Sequence, residues 1–269
     1  MIDGFSFKDV YGIGDLLQIM QCLRSEGGCP WDREQTHESI KKNLIEETYE
    51  VIEAINQQDK ALLCEELGDV LMQVVFHAQM EAEEGSFTFE NVADGVCKKL
   101  IERHPHVFGE VEGTGSEEVL RNWDDIKKRS KGQTSQTETM LSVPRELPAL
   151  MRATKVQKKA AKVGFDWPDI SGAVDKLYEE TSELSGAIES GSEEEIAEEL
   201  GDLLFSAVNV SRFVGCDAEE ALTAATDKFM RRFACVEEKA RERGLKLEEL
   251  SLSELDALWD EAKLDLLSK

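Results

Sequence analysis

Proline and glycine are scarce in this chain, at 5 and 19 of its 269 residues. A β sandwich or barrel needs many tight turns, so the shortage points to helices. Apolar runs are short as well. Val70–Phe76 is among the longest, whereas a bilayer span needs about 20 residues, so no membrane segment is expected. Met1–Val10 has no signal-peptide pattern, which places the expected compartment in the reducing cytoplasm. Cys22, Cys29, Cys64, Cys97, Cys216 and Cys235 are scattered, without a C-x-x-C pair. That argues against a zinc knuckle or a thioredoxin-type site and for buried, reduced thiols. Basic charge is in deficit, with 31 Lys and Arg against 56 Asp and Glu and a net charge of −25. Such a surface does not hold duplex nucleic acid through its phosphates. It accepts a phosphorylated small molecule once a divalent cation stands between acids and phosphates.

What is present is a soluble, globular composition, 41% hydrophobic and 32% charged, in a chain long enough for two cores. An internal repeat is visible. Glu46-Glu47-Thr48-Tyr49-Glu50 recurs as Glu179-Glu180-Thr181-Ser182-Glu183, and Glu65-Glu66-Leu67-Gly68-Asp69 recurs as Glu198-Glu199-Leu200-Gly201-Asp202. The offset is 133 residues from Glu46 to Glu179 and again from Asp69 to Asp202. Trp31 answers Trp167, Lys99 and Arg103 answer Lys228 and Arg232, and Trp123 and Lys127 answer Trp259 and Lys263, at slightly different offsets. Changing offsets mean short insertions in loops. The stretch from Ser130 to Thr139 is polar and lacks an apolar period, so it reads as a linker or mobile loop. The expected organisation is a module over 1–128, a polar linker over 129–144 and a second module over 145–269.

Periodicity predicts helices over Lys42–Asn56 and Leu62–Ala82, and over their counterparts Val174–Ser190 and Glu193–Phe213. Ser192, three residues before Glu195, suits a capping box. Ser116 and Ser253 read as caps of the helices that carry Trp123 and Trp259.

The acids have the same spacing in both copies. Glu47, Glu50, Glu66 and Asp69 are separated by three, sixteen and three residues, as are Glu180, Glu183, Glu199 and Asp202. Residues three apart share a helix face. The sixteen-residue step accommodates a helix end, a turn and the start of the next helix, so two antiparallel helices aim two acid pairs at one point. Leu63, Val70 and Val74 share the azimuth of Glu66 and Asp69, and Ile196, Leu203 and Ala207 that of Glu199 and Asp202. These acids therefore face inward. Four converging carboxylates repel one another and lose hydration, and a hard divalent cation with oxygen ligands relieves both penalties. A lone E-x-x-E on a helix is usually a solvated face; the duplicated, inward-facing set is what supports a metal role.

With these residues in view, the chain resembles the tandem MazG nucleotide pyrophosphohydrolases of the all-α NTP pyrophosphatase superfamily. The resemblance rests on the duplicated E-E-x-x-E and E-x-x-D pattern. Gly28-Cys29-Pro30-Trp31-Asp32, Arg103-His104-Pro105-His106-Val107-Phe108 and Val163-Gly164-Phe165-Asp166-Trp167 add to it. It implies an all-α tandem repeat of two helical-bundle modules and an intertwined homodimer. It also implies Mg²⁺-dependent hydrolysis of nucleoside triphosphates to a monophosphate and pyrophosphate, with Mn²⁺ as a substitute ion, in housecleaning of the nucleotide pool or alarmone control. Glu180, Glu183, Glu199 and Asp202 are carried over as metal ligands and catalytic residues, and Glu47, Glu50, Glu66 and Asp69 as a second metal set. Lys176, Lys228, Arg232, Trp259 and Lys263 are carried over as nucleotide contacts.

Lys176, Lys228 and Arg232 suit the charge of a polyphosphate. Lys228 and Arg232 also read as an exposed basic face, and Trp259 reads equally as a stacking surface or as a core or dimer-interface anchor. Glu46 and Glu179 read as solvated or as supports of the cage. Lys176 stands one turn before Glu180, where the first copy has the uncharged Asn43, so the C-terminal module is the expected main catalyst. Family members can carry a lysine four residues before the third acid; here Glu195 stands there, which weakens a phosphate contact from that position. His104 and His106 read as a structural turn, because no third histidine stands at ligand spacing. A di-iron bundle would need E-x-x-H, and Asp69 and Asp202 occupy the histidine positions. A non-catalytic scaffold with fossil acids is the other rival.

Overall fold

A computed structural model describes residues 5–109 and 132–267. The described residues form helices and turns and contain no strand. The chain divides into two units, Met1–Lys127 and Lys128–Lys269. Ser116, Trp123 and Lys127 lie outside the described residues.

The first unit contains α1 (Ile13–Arg24), α2 (Pro30–Glu34), α3 (His37–Gln57), α4 (Lys60–Glu83), α5 (Phe89–Arg103) and the short α6 (Pro105–Phe108). Its centre is the antiparallel α3–α4 hairpin, with α1 and α5 packed on α4. Gln58 closes α3 in the left-handed conformation at φ 56°, and Asp59 caps α4 by accepting from the Ala61 and Leu62 N–H groups. Met20, Ile40, Val75, Phe76 and Met80 form the core, with Leu16, Leu17, Met72 and Phe89 around it. Arg24, nearly buried, pairs with Glu83 at 2.8 Å and donates to the carbonyls of Asp32 and Gln35, which pins the Gly28–Asp32 segment to α4. Gly28 is required there: an added Cβ would lie 2.2 Å from the Leu23 carbonyl oxygen.

The second unit contains α7 (Gln136–Leu141), α8 (Ala149–Ala161), α9 (Ile170–Ser190), α10 (Glu193–Phe213), α11 (Ala218–Glu242), a 3₁₀ turn (Leu247–Glu249) and α12 (Leu252–Leu267). The plan repeats, with an α9–α10 hairpin and α8 against α10. Gly191 at φ 74° takes the place of Gln58, 133 residues on. The α11–α12 hairpin has its own core of Val236, Ala240, Leu258 and Ala262. Asp166 pairs with Arg212 at 2.8 Å and fastens the Val163–Trp167 segment to the end of α10.

Several expectations are corrected. The polar 129–144 segment is not all loop: α7 lies in it, opened by a Ser135–Glu138 capping box and packed on α8. Thr139 and Val143 are buried there, so the burial of two side chains holds a helix too short to show a period. The Oγ of Ser192 accepts from the Glu195 N–H, but the Glu195 carboxylate accepts from Ser190 Oγ rather than closing the box. Ser251, not Ser253, caps α12, in reciprocal contact with Glu254. All six thiols are free, yet none is fully buried, and Cys64, Cys97 and Cys216 are exposed. Among the described residues no helix is long and apolar enough to cross a membrane.

Ile40 is 3% exposed and sits where α3 meets the core, so Ile40→Ala should destabilise the N-terminal unit by about 2–5 kcal/mol. Urea unfolding read in that unit checks this.

Candidate metal centre

Each hairpin brings three carboxylates together. Oxygens of Glu47, Glu66 and Asp69 lie within 4.8 Å of one another, and so do those of Glu180, Glu199 and Asp202. The three-residue spacing places Glu66 and Asp69, and likewise Glu199 and Asp202, on one face of α4 or α10, opposite the acid of α3 or α9; the expected inward orientation is incomplete in the second copy, where Glu199 is half-buried and Asp202 exposed. The fourth acid of each expected set adjoins these three. Glu50 and Glu183, one turn on, are exposed and adjoin these sets: Glu50 hydrogen-bonds Glu47 and Glu66, and Glu183 hydrogen-bonds Glu180. The buried member differs between copies. It is Glu66, 9% exposed, in the first and Glu180, 3% exposed, in the second.

The electrostatics also differ. Burial, then the contact with Glu50 and the charges of Asp69, Glu50 and Glu66, holds Glu47 above the usual carboxylate value. Glu66 is raised by burial and by Glu50, Asp69 and Glu65. In the second copy Glu199 is raised by burial and by Glu183, Glu180 and Asp202. There Lys176 enters the acid set, with its Nζ at 2.8 Å from Glu179, 2.6 Å from Glu180 and 4.0 Å from Glu183. Hydrogen bonds to Glu179 and Glu180 raise its pKa. Burial raises Glu183 as well, and the Lys176 charge opposes the shift. Asn43 gives the first copy no such cation, and Lys41 and Lys42 are exposed on other faces of α3. Glu46 and Glu179 are exposed, and Glu179 supports the cage through Lys176.

The donor set fits a hard divalent cation. All donors are carboxylate oxygens, and no histidine joins either group among the described residues. Opposite ligands of an Mg²⁺ ion at ~2.1 Å stand about 4.2 Å apart, within a small side-chain adjustment of the observed spread. The absence of imidazole leaves the di-iron rival without its ligands.

The other candidates gather on the α11–α12 hairpin. Trp259 packs on Phe229 with ring centroids 5.1 Å apart, and the Arg232 guanidinium lies 5.8 Å from the indole centre. Lys263 pairs with Asp260 at 2.6 Å, and Lys228 is exposed. Trp259 thus serves at least as an anchor against the hairpin core. Lys176 is the single predicted nucleotide contact found in the acid set. His104 accepts its structural reading, with Nδ1 at 2.6 Å from the Leu100 carbonyl at the end of α5. Sequence reasoning missed the His37–His77–Glu81 group on the α3–α4 hairpin. Its signal was the contrast with Ile170, Val210 and Val214 at the repeat offset.

A raised carboxylate favours the protonated form in the fold. Its contribution is present below the unfolded value, near 4.5, and is lost as pH rises through the folded value. Without metal, Glu66→Gln should therefore raise the thermal midpoint at pH 7.5, with the gain shrinking toward pH 4.5. Melting curves in a chelating buffer across this range check it.

Comparison with known proteins agrees with the repeat. The model of the MazG nucleotide pyrophosphohydrolase domain matches residues 35–108 and 171–236, which span the two acid-bearing hairpins. A Thermotoga maritima protein named nucleoside triphosphate pyrophosphohydrolase/pyrophosphatase MazG is 48% identical over 93% of this chain and 94% of its own. An Escherichia coli nucleoside triphosphate pyrophosphohydrolase is 46% identical over 93% of this chain and 97% of its own. The uncharacterised Bacillus subtilis protein YabN is 50% identical over 91% of this chain and 50% of its own. With two matched segments over paired acid hairpins and such relatives along nearly its whole length, this chain belongs to the MazG nucleotide pyrophosphohydrolase family.

Proposed function

We propose that this hydrolase of phosphoric anhydride bonds cleaves nucleoside triphosphates with one water to a nucleoside monophosphate and pyrophosphate. Its C-terminal module is the main catalyst. The observation that carries this reading is the cluster of Glu180, Glu199 and Asp202 with Lys176 beside it. The names of the Thermotoga and Escherichia relatives support the substrate class.

Glu180, Glu199 and Asp202 would hold Mg²⁺, or Mn²⁺ in its place, with Glu183 completing the set. The ion supplies charge neutralisation on the phosphates and lowers the pKa of a bound water. Glu183, exposed one turn beyond Glu180, would take the proton of the attacking water where its carboxylate is not fully used as a ligand. Lys176, freed from Glu180, would turn its ammonium to the polyphosphate. Lys228, Arg232 and Lys263 would add positive charge for the polyphosphate, and the half-buried Trp259 would offer the base or ribose an indole face. The N-terminal module, which has Asn43 in place of Lys176, would bind metal and act in assembly or regulation.

A homodimer belongs to the same reading. Ile45, Tyr49, Ile52, Leu67 and Leu71 are exposed on the α3–α4 hairpin, and a second copy of the chain would cover them.

Incubation with a panel of NTPs and dNTPs, with and without Mg²⁺, should give monophosphate and intact pyrophosphate only with the metal. Glu199→Gln should lower turnover by at least ~100-fold, and Glu66→Gln should leave most of it. Release of diphosphate and phosphate, or the reverse order of the two variants, would contradict the reading. Sedimentation should give twice the chain mass; a monomer would remove the dimer.

A further inference from the structure

The α3–α4 hairpin carries a second polar group, apart from its acids. His37 opens α3, and its Nδ1 lies 2.6 Å from Nδ1 of His77 on α4. The two rings are parallel within 5°, with centroids 4.9 Å apart. The other nitrogen of His37, Nε2, lies 2.8 Å from the Glu81 carboxylate. All three side chains are partly exposed, so a small ion reaches them from solvent.

The hydrogen bonds fix the protons. Glu81 accepts from Nε2–H of His37, so a neutral His37 has a bare lone pair on Nδ1, and His77 donates its Nδ1–H to it. Moving the His77 proton to Nε2, one tautomer away, leaves two lone pairs aimed at one point with no change in net charge. Burial, then the neighbouring His37, holds His77 below the usual imidazole value, so protons compete weakly at neutral pH.

The second copy is an internal control. At the same offset of 133 residues, His37, His77 and Glu81 become Ile170, Val210 and Val214. The same hairpin therefore forms with apolar side chains at both histidine places, Val214 following the end of α10, and folding alone does not call for imidazoles there. One turn before His77 on α4, Gln73 adds a buried Oε1 with no hydrogen-bond partner among the described residues.

We propose that His37 and His77 form a binding site for a borderline divalent transition ion such as Zn²⁺, with Glu81 as the carboxylate that orients His37. Imidazole nitrogens select such an ion over Mg²⁺, which prefers oxygen. The His37–Glu81 contact is the carboxylate–histidine arrangement that supports metal-bound imidazoles. Zn–N bonds of ~2.05 Å at a tetrahedral angle put the two nitrogens about 3.3 Å apart, an opening of under 1 Å that rotation of the side chains supplies. Water fills the remaining positions. The ion would clamp the start of α3 to α4, in the hairpin that holds Glu47, Glu66 and Asp69. The site stands independently of the proposed reaction.

The test is a calorimetric Zn²⁺ titration of the full chain at pH 7.5 in millimolar Mg²⁺. It compares the natural protein with His37→Ile/His77→Val, which installs the residues of the second copy. The natural protein should bind one more Zn²⁺ per chain than the double variant. Glu66→Gln/Glu199→Gln, which disables the acid clusters, should keep this Zn²⁺ and the rise in thermal midpoint that it brings. Should the double variant not fold, Glu81→Gln gives the same answer through a Zn²⁺ affinity lowered by about 10–100-fold. Equal stoichiometry in the natural protein and the double variant, or unchanged affinity in Glu81→Gln, overturns the proposal.

Discussion

Carboxylates that face one another across an antiparallel helix hairpin repel, and they repel more strongly where hydration is reduced. The rest of the molecule depends on tolerating this in two places. The left-handed residues Gln58 and Gly191 close the hairpins, the Asp59 and Ser192 caps start the second helices, and the resulting register sets Glu47 against Glu66 and Asp69, and Glu180 against Glu199 and Asp202. Arg24–Glu83 and Asp166–Arg212 then fasten the preceding segments to α4 and α10. The fold thus spends hydrophobic burial in order to hold negative charge together, an arrangement that makes sense for binding a cation rather than for stability alone.

The two copies answer the repulsion differently. In the second, the Lys176 ammonium lies against Glu180 and supplies a counter-charge from within the chain. In the first, Asn43 supplies none, and Glu47 and Glu66 are pushed toward protonation, as Glu183 and Glu199 are in the second. The buried acid moves from the second helix of the hairpin to the first. One backbone plan therefore carries two chemical environments. This is the physical basis for the proposal that catalysis belongs to one module and assembly or regulation to the other. The paired histidines deepen the asymmetry, since they too occur in the first copy alone.

The helical class, the repeat and the hairpin positions were legible because they rest on spacing. Acids three apart and apolar residues at a helical period fix which face turns inward, and the 133-residue offset fixes the duplication. Short-range contacts were less legible. Ser251 and Ser253 both offer a hydroxyl, and only the backbone path decides that Ser251 meets Glu254. Helix α7 depends on Thr139 and Val143 finding cover, which a polar composition conceals. Glu50 and Glu183 share the spacing of ligands, yet spacing alone does not tell that both are exposed while they touch the acids beside them. The packing of Arg232 over Trp259 is set by tertiary placement, on which local spacing is silent.

The central claim is that each hairpin is a separate divalent-cation site whose acids act together. Titration with Mn²⁺, followed by electron paramagnetic resonance of the free ion, measures this without reference to turnover. Compared with the natural chain, Glu47→Gln should abolish one site and Glu180→Gln the other, each leaving its counterpart's affinity intact. Undiminished Mn²⁺ binding in both variants would show that the clustered carboxylates do not hold the ion.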